Sequence, residues 1–151
     1  MNGTHQLDDG LSNVLFATWL VSRATTAAID AAIAETGLDA DEFAVYSVLA
    51  SGNGMTPTEL AHWMHAPPTT VSSYIKRFER RGHVDRHHNP DDRRSYLLRL
   101  TPEGRAAHSA AGTRFLPLLA GVNARLGPDV DEIRMRLTRL HATIVEQQHQ
   151  E

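Results

Sequence analysis

Polar and cationic side chains share one side of a segment that is predicted to be helical, residues 69–80. Four of them are hydroxyls close to its start, and three are cations one or two turns further on. Hydroxyls donate and accept hydrogen bonds, and long cations reach phosphate oxygens or the acceptor edge of guanine. This pattern indicates a surface that contacts phosphates and base edges. The residues are Thr69, Thr70, Ser72, Ser73, Lys76, Arg77 and Arg80.

A second group of charged residues surrounds a predicted turn further along the chain. Arg93 and Arg94 are placed at its tip, and Arg86 precedes it. A guanidinium at a loop tip can enter a narrow, electronegative minor groove. Asp92 would repel phosphate, but a planar carboxylate can also fix the direction of an arginine fork. We therefore count Asp92 with the three arginines as candidate DNA-binding residues.

Charge is segregated along the chain. The net charge of -3, taken alone, argues against a nucleic-acid partner because phosphates attract positive surface. Residues 76–105, however, contain nine of the fifteen Lys and Arg residues against five acidic residues, whereas residues 1–75 contain one against eight. A local basic patch is the electrostatic signature of a nucleic-acid site.

Capping residues and hydrophobic spacing predict three helices before the polar segment. The first is long and covers residues 11–37. The second opens with Asp39 and Glu42, which have the spacing of a capping box. The third, residues 57–65, has Pro57 at its first position, and Thr56 and Glu59 have the spacing of a second capping box.

The hydrophobic period changes after the fourth helix, which Gly82 is predicted to end. Two short strands are predicted over residues 83–87 and 96–100, joined by a turn. A fifth helix begins after Thr101, and a sixth is predicted to have Asp129 as its cap.

The order of these elements predicts a mainly α fold with a small β-hairpin wing. A short helix followed closely by an apolar-backed polar helix is a helix-turn-helix, and the hairpin makes it winged. This winged unit covers about residues 39–101. Long helices at about 11–37 and 102–147 exceed what one small core can cover, which predicts dimerisation. Residues 1–10 are predicted to be a flexible arm, and residues 11–151 to form a single domain.

Three segments between Thr56 and Gly104 carry a family resemblance: TPTELA, TTVSSYIKRFERRG and HVDRHHNPDDRRSYLLRLTPEG. They resemble the winged helix-turn-helix of the MarR (multiple antibiotic resistance regulator) family. The resemblance implies a homodimeric transcription repressor that binds a palindromic operator in double-stranded DNA. It also implies release by a small, often aromatic or phenolic, effector, and it places the family's wing Asp and Arg on Asp92 and Arg94.

The resemblance further implies an effector cleft between the dimer helices and the DNA-binding lobe. Arg23 is the only cation before Lys76, so it could pair with an anionic effector. A salt bridge to a nearby acidic residue is the alternative, and the more common, role for such an arginine. The candidate effector-binding residues are Trp19, Arg23, Tyr46, Trp63 and Met64.

The nine histidines leave a second class of function open. His62 and His65 would share a helix face, and His87 and His88 end a predicted strand, so a zinc- or nickel-responsive DNA-binding sensor is an alternative. A helical interaction module without DNA is another. The spacing is weak for a metal site, and we expect no bound metal and no cofactor.

Sequence motifs of other classes are missing. The sequence has no glycine-rich phosphate loop, no G-x-S-x-G and no H-E-x-x-H, so we expect no enzyme. It has no run of about 20 apolar residues and no secretion signal, which predicts a cytoplasmic protein without a membrane partner. The lack of cysteine excludes disulfides and thiol-based redox sensing.

Overall fold

A computed structural model describes residues 12–150, and most of them are helical. The predicted fold class, mainly α with a two-stranded β-hairpin, is confirmed. In chain order the elements are α1 (Val14–Ile33), a 3₁₀ turn (Ala34–Thr36), α2 (Ala40–Ser51), α3 (Pro57–Met64), α4 (Pro68–Arg80), β1 (Val84–His88), β2 (Tyr96–Leu100), α5 (Pro102–Leu126), a second 3₁₀ turn (Gly127–Asp129) and α6 (Val130–Gln148). The predicted arm, residues 1–10, lies outside the described residues.

Helix α1 is shorter than the prediction of residues 11–37. It begins at Val14, where the side chain of Asn13 accepts hydrogen bonds from two backbone N–H groups of the first turn. Its last part tightens into the 3₁₀ turn before Gly37, which has a φ of 78° and ends the helix. Glycine adopts this left-handed conformation without the steric cost that other residues have.

Both predicted capping boxes are confirmed. The Asp39 carboxylate accepts from the Glu42 backbone N–H at 2.8 Å, and Glu42 Oε2 accepts from the Asp39 N–H at 3.2 Å. Thr56 and Glu59 make the same reciprocal bonds at 3.1 and 2.8 Å. These local bonds explain why α2 and α3 begin where the sequence predicts.

The wing pairs β1 with β2 in antiparallel register, with Val84 opposite Leu100. The first strand begins one residue later than predicted. A further pairing was not predicted: Met55, just before α3, bridges Leu98 through bonds of 3.2 and 2.7 Å between backbone N–H and carbonyl groups. Strand β2 is therefore paired on both sides, which attaches the wing to the start of α3.

The hydrophobic core joins α2, α3, α4 and the wing, with contributions from the end of α1 and from α5. Its members come from both strands of the wing and from the inward faces of the helices. Because the core includes the inward face of α4, it fixes which face of that helix is exposed. The buried members are Ile33, Leu38, Phe43, Val45, Tyr46, Leu49, Leu60, Val71, Ile75, Phe78, Val84, Leu98, Leu100 and Ala111.

Helix α5 begins as predicted, after Thr101. The Thr101 hydroxyl accepts from the Gly104 N–H at 3.0 Å and donates to the Gly82 carbonyl at 2.6 Å. The start of α5 is thereby bonded to Gly82, which follows α4. The cap predicted at Asp129 is wrong: this residue has helical dihedrals and makes no side-chain capping bond, because the 3₁₀ turn continues directly into α6.

The chain divides into two compact units, with the boundary between Phe115 and Leu116. In the first unit, α1 exposes six large apolar side chains: Val14, Leu15, Phe16, Trp19, Leu20 and Val21. In the second unit, α6 buries no residue, and six large apolar side chains are exposed: Leu116, Leu119, Val122, Leu126, Met135 and Leu137. Among residues 12–150, no helix is long and apolar enough to cross a membrane.

Candidate nucleic-acid interface

Helix α4 presents a polar face to solvent because its apolar face is anchored in the core. Val71, Ile75 and Phe78 are buried one turn apart. The opposite side carries the hydroxyls and two of the predicted cations. The exposed residues are Thr69, Thr70, Ser72, Ser73, Lys76 and Arg80.

The start of α4 is set by two prolines. Pro67 is the N-cap residue in an extended conformation, and Pro68 occupies the first helical position. Proline suits that position because it has no N–H to satisfy and its φ is already helical. The four hydroxyls therefore lie in the first two turns of the helix, as predicted, and the hydroxyl of Ser73 donates to the Thr69 carbonyl at 3.1 Å.

Arg77, predicted to belong to the polar face, turns towards α2 instead. Its Nη1 donates to Glu42 Oε1 at 2.8 Å, and its guanidinium lies 5.0 Å from the centroid of the Tyr74 ring. Glu42 is only 2% exposed. The Arg77 side chain stays 40% exposed, but its guanidinium is paired with this buried carboxylate, whereas Lys76 and Arg80 are in no ion pair among residues 12–150.

Glu42 also pairs with Arg81, whose Nη1 lies 3.1 Å from the same carboxylate oxygen. Burial lowers the pKa of Arg81, but hydrogen bonds to Glu42 and Tyr46 outweigh it and raise the pKa above its ordinary value. Sequence reasoning identified Glu42 only as a capping residue. A buried carboxylate that caps one helix and binds two arginines of another carries no local sequence signal.

Arg86 is likewise engaged within the protein. It makes two hydrogen bonds to the Glu79 carboxylate, at 2.5 and 3.2 Å, and its guanidinium lies 4.4 Å from the centroid of the Tyr96 ring. The hydrogen bond to Glu79 raises the pKa of Arg86. Arg86 therefore connects α4 to both strands of the wing, whereas the sequence predicted a DNA contact.

The wing tip exposes Arg93 and Arg94. Asp92 does not aim the Arg94 guanidinium as expected; its Oδ1 accepts from the Arg94 backbone N–H at 2.9 Å. The buried Asn89 side chain accepts from the Asp91 N–H at 3.0 Å. These two side-chain-to-backbone bonds fold the turn, so Asp92 positions Arg94 through the main chain.

We call Lys76, Arg80, Arg93 and Arg94 the cationic face. All four are exposed, and within the part of the chain that the structure describes none of them takes part in an ion pair. Two lie on α4 and two at the wing tip. Unpaired guanidinium and ammonium groups on a helix and on an adjacent hairpin are suited to bind phosphates.

The candidate effector residues are not brought into one cleft. Tyr46 lies in the core, where its hydroxyl is 2.9 Å from His83 Nδ1 and burial raises its pKa, so it does not face a ligand cavity. Trp19, 58% exposed, and Arg23 lie on α1. Only Trp63 and Met64 lie together, in an open groove of about 350 Å³ that is also lined by Asp41, Ala44, Val45, Ala66, Thr70 and Tyr74.

The described histidines do not gather around a metal position. Among residues 12–150, no group of three His, Asp or Glu side chains is placed to share an ion. His87 pairs with Asp85 at 2.7 Å between Nε2 and Oδ1. This arrangement does not favour the metal-sensor alternative.

The short α3, the core-anchored α4 and the hairpin that follows it define a winged helix-turn-helix protein. Residues 40–96 match the model of the MarR family. The match covers the winged unit and confirms the resemblance stated from the sequence.

Known proteins resemble this chain either in sequence or in fold. The HTH-type transcriptional repressor YetL of Bacillus subtilis is 26% identical over 102 residues, which are 66% of this chain and 61% of YetL. The transcriptional repressor CouR, solved bound to a 23-mer DNA duplex, is 23% identical with a TM-score of 0.76 and covers 93% of this chain and 97% of its own. PcaV of Streptomyces coelicolor, solved with its natural ligand, is 24% identical with a TM-score of 0.73, covering 89% and 95%.

Proposed function

We propose that this chain is a transcription regulator that binds double-stranded DNA through the cationic face. The observation that carries the proposal is the placement of four exposed, unpaired cations on α4 and the wing tip of a MarR-family domain. Helix α4 enters the major groove, and the wing tip reaches the adjacent minor groove. The DNA complex of CouR supports this docking as an expectation for the shared fold.

The residues divide by the kind of contact that they make. Four hydroxyls lie at the N-terminal end of α4, where the recognition helix of a helix-turn-helix meets base edges and phosphates: those of Thr69, Thr70, Ser72 and Ser73. Lys76 and Arg80 lie further along the same face and bind phosphate or guanine. Arg93 and Arg94 bind at the minor groove. Arg86 and Asp92 hold the wing from within the protein, whereas Arg77 pairs with Glu42 and makes no DNA contact in this proposal.

The regulator acts as a homodimer and a repressor in this proposal. Helix α1 and residues 116–137 each expose six large apolar side chains, more than a solvated segment normally carries, and a second copy would cover them. A two-fold dimer places two α4 helices on half-sites about one helical turn apart. The repressor YetL supports the direction of control.

The groove lined by Trp63, Met64 and Tyr74 is the effector site in this proposal, and PcaV supports the presence of a ligand in a protein of this fold. Its aromatic lining suits an aromatic molecule. Asp41 is the lining residue that is charged at neutral pH and would repel an anion, so the effector there is neutral or cationic. In a thermal-shift screen, aromatic amines or phenols should stabilise the protein and Trp63→Ala should abolish that shift; stabilisation by benzoates alone would contradict this assignment.

The DNA-binding proposal is tested by titration of a fluorescent duplex from the region upstream of the protein's own gene. Replacing both Arg93 and Arg94 by Ala should weaken binding by at least tenfold, about 1.4 kcal/mol or more, while the melting temperature stays unchanged. Arg139→Ala, which removes an exposed arginine of α6, is the matched control and should bind normally.

Salt dependence gives a second, independent readout. The logarithm of the association constant should fall linearly with the logarithm of salt concentration, by about 0.9 for each phosphate contact. A flat dependence, or normal binding by the wing variant, would contradict the proposal and point to a helical module that binds a protein.

A further inference from the structure

Glu42 is the one charged residue among the buried side chains that the structure describes. Its Oε2 belongs to the capping box of α2, while its Oε1 accepts from Arg77 at 2.8 Å and lies 3.1 Å from Arg81. A carboxylate in this position is stable only while it is paired. Two arginines of the α4 segment supply that pairing, so the start of α2 and the end of α4 are joined by one side chain.

The Arg77 guanidinium is confined by more than this ion pair. The guanidinium also lies over the Tyr74 ring, 5.0 Å from the ring centroid, and the Tyr74 hydroxyl donates to Asp41 at 3.2 Å. Asp41 and Glu42 are both in the first turn of α2. The first turn of α2 therefore directs the Arg77 side chain, either through Glu42 directly or through Tyr74.

Arg77 is adjacent in sequence to Lys76, which belongs to the cationic face, and its side chain is 40% exposed, yet its charge is paired with the buried Glu42 carboxylate. We propose that Glu42 is a positioning residue that withholds Arg77 from DNA phosphates and so lowers affinity for DNA of any sequence. This inference rests on the proposed function. It assigns to the carboxylate a role in discrimination between operator and bulk DNA, beyond its structural role as a helix cap.

The physical reason is a competition between two anions for one guanidinium. A phosphate contact strengthens binding to every sequence equally, because the backbone carries no sequence information. If Arg77 moved to a phosphate, the buried Glu42 carboxylate would lose one of its two arginine partners, which is unfavourable. Specificity is a difference between two affinities, so removing a sequence-independent contact improves it.

The first experiment compares the salt dependence of two alanine variants on a random-sequence 30-bp duplex and on the upstream duplex. Arg77→Ala should leave the slope unchanged, since Arg77 makes no phosphate contact. Arg80→Ala, which removes an exposed arginine three residues further along α4, should reduce the slope by about 0.9 for each chain bound. Arg81 still pairs with Glu42 in Arg77→Ala, so this variant keeps the buried carboxylate partnered.

The second experiment releases Arg77. Glu42→Gln removes the charge but keeps a side chain that serves in a capping box. It should raise affinity for the random duplex severalfold and increase the salt slope by about 0.9 per chain, and adding Arg77→Ala to it should cancel both changes. If Glu42 only stabilises the fold, Glu42→Gln should lower the affinity for DNA and should not increase the salt slope.

The other possible results distinguish a failure of the proposed function from a failure of this inference. If wild-type protein shows no salt-dependent DNA binding, the proposed function fails. If wild-type protein binds but Arg77→Ala reduces the slope as much as Arg80→Ala does, Arg77 contacts phosphate and this inference is overturned. If Glu42→Gln does not fold, the comparison of Arg77→Ala with Arg80→Ala decides the question alone.

Discussion

Tyr46 and His83 form a buried polar pair that links α2 to the start of the wing. The hydroxyl lies 2.9 Å from Nδ1, and the Tyr46 ring packs edge-on against Phe78 at 4.9 Å. Tyr46→Phe keeps the ring and removes the hydroxyl's bonds to His83 and Arg81, so the free energy of unfolding should fall by about 1 kcal/mol or more. Urea denaturation measures this.

The matched control for that prediction is Tyr96→Phe. Its ring contacts the Arg86 guanidinium, and among residues 12–150 its hydroxyl makes no hydrogen bond. The free energy of unfolding of this variant should differ from wild type by less than about 0.5 kcal/mol. Equal losses in the two variants would show that the Tyr46 hydroxyl contributes no specific bond.

His108 should make stability depend on pH. Burial, with a smaller contribution from the Arg105 charge, lowers the pKa of His108 below its ordinary value of 6.5, and its Nε2 lies 3.0 Å from the Ser47 hydroxyl. The unfolded chain then binds the proton at a higher pH than the folded chain. The contribution of neutral His108 to the free energy of unfolding is complete above about pH 6.5. It is lost as the pH falls through the lower pKa that His108 has in the folded chain.

The check is urea denaturation at about pH 7.5 and about pH 5.5, on either side of the ordinary pKa. His108→Gln should reduce the loss of unfolding free energy between the two conditions. His88→Gln, at an exposed position of the wing, should leave that loss unchanged. An unchanged loss in His108→Gln would contradict the assignment.

At the residue scale, the sequence predicted which side chains of α4 are exposed, but it did not predict which residue Arg77 pairs with. The spacing of Val71, Ile75 and Phe78 sets which side of α4 is buried, so the exposed hydroxyls follow from sequence. Arg77, however, pairs with a residue 35 positions earlier. Its side chain is long enough to lie on either side of the helix edge, and only the folded position of α2 decides between them.

At the element scale, bonds between near neighbours in sequence explain the success of prediction. The capping boxes at Asp39 and Thr56 involve residues three apart, and both were found from sequence. The bridge from Met55 to Leu98 joins residues far apart in sequence and was missed. The cap at Asp129 failed because the preceding 3₁₀ turn leaves no extended N-cap conformation there.

The junction between the wing and α5 depends on a close approach at Gly104. A Cβ added there would lie 2.0 Å from the His83 carbonyl oxygen, closer than atoms can approach. Gly104→Ala must therefore shift the start of α5 and should destabilise the protein by about 1–3 kcal/mol. Thermal denaturation measures the effect.

Gly112 gives a control within the same helix. A Cβ added there meets nothing within 4 Å. Because Ala favours helix over Gly by roughly 0.5–1 kcal/mol, Gly112→Ala should leave stability equal or raise it. If both substitutions have the same effect, the close approach at Gly104 is not what determines its outcome.

At the scale of the whole molecule, the exposed apolar side chains predict association. A dimer should have twice the mass of one chain in light scattering, and its melting temperature should rise with protein concentration. Leu15 is 60% exposed, so Leu15→Glu should not disturb the core of a single chain but should favour the monomer. A wild-type mass of one chain, with a melting temperature independent of concentration, would contradict the prediction.

The buried positions of α4 stabilise the fold and its exposed positions face solvent. This difference has an evolutionary consequence. Val71, Ile75 and Phe78 maintain the fold, whereas Thr69, Thr70, Ser72 and Ser73 contribute little to it. Substitutions at the outward positions should therefore accumulate without unfolding the protein. A lineage could acquire a new target sequence by drift at these few codons, and a laboratory library confined to them should yield mostly folded variants.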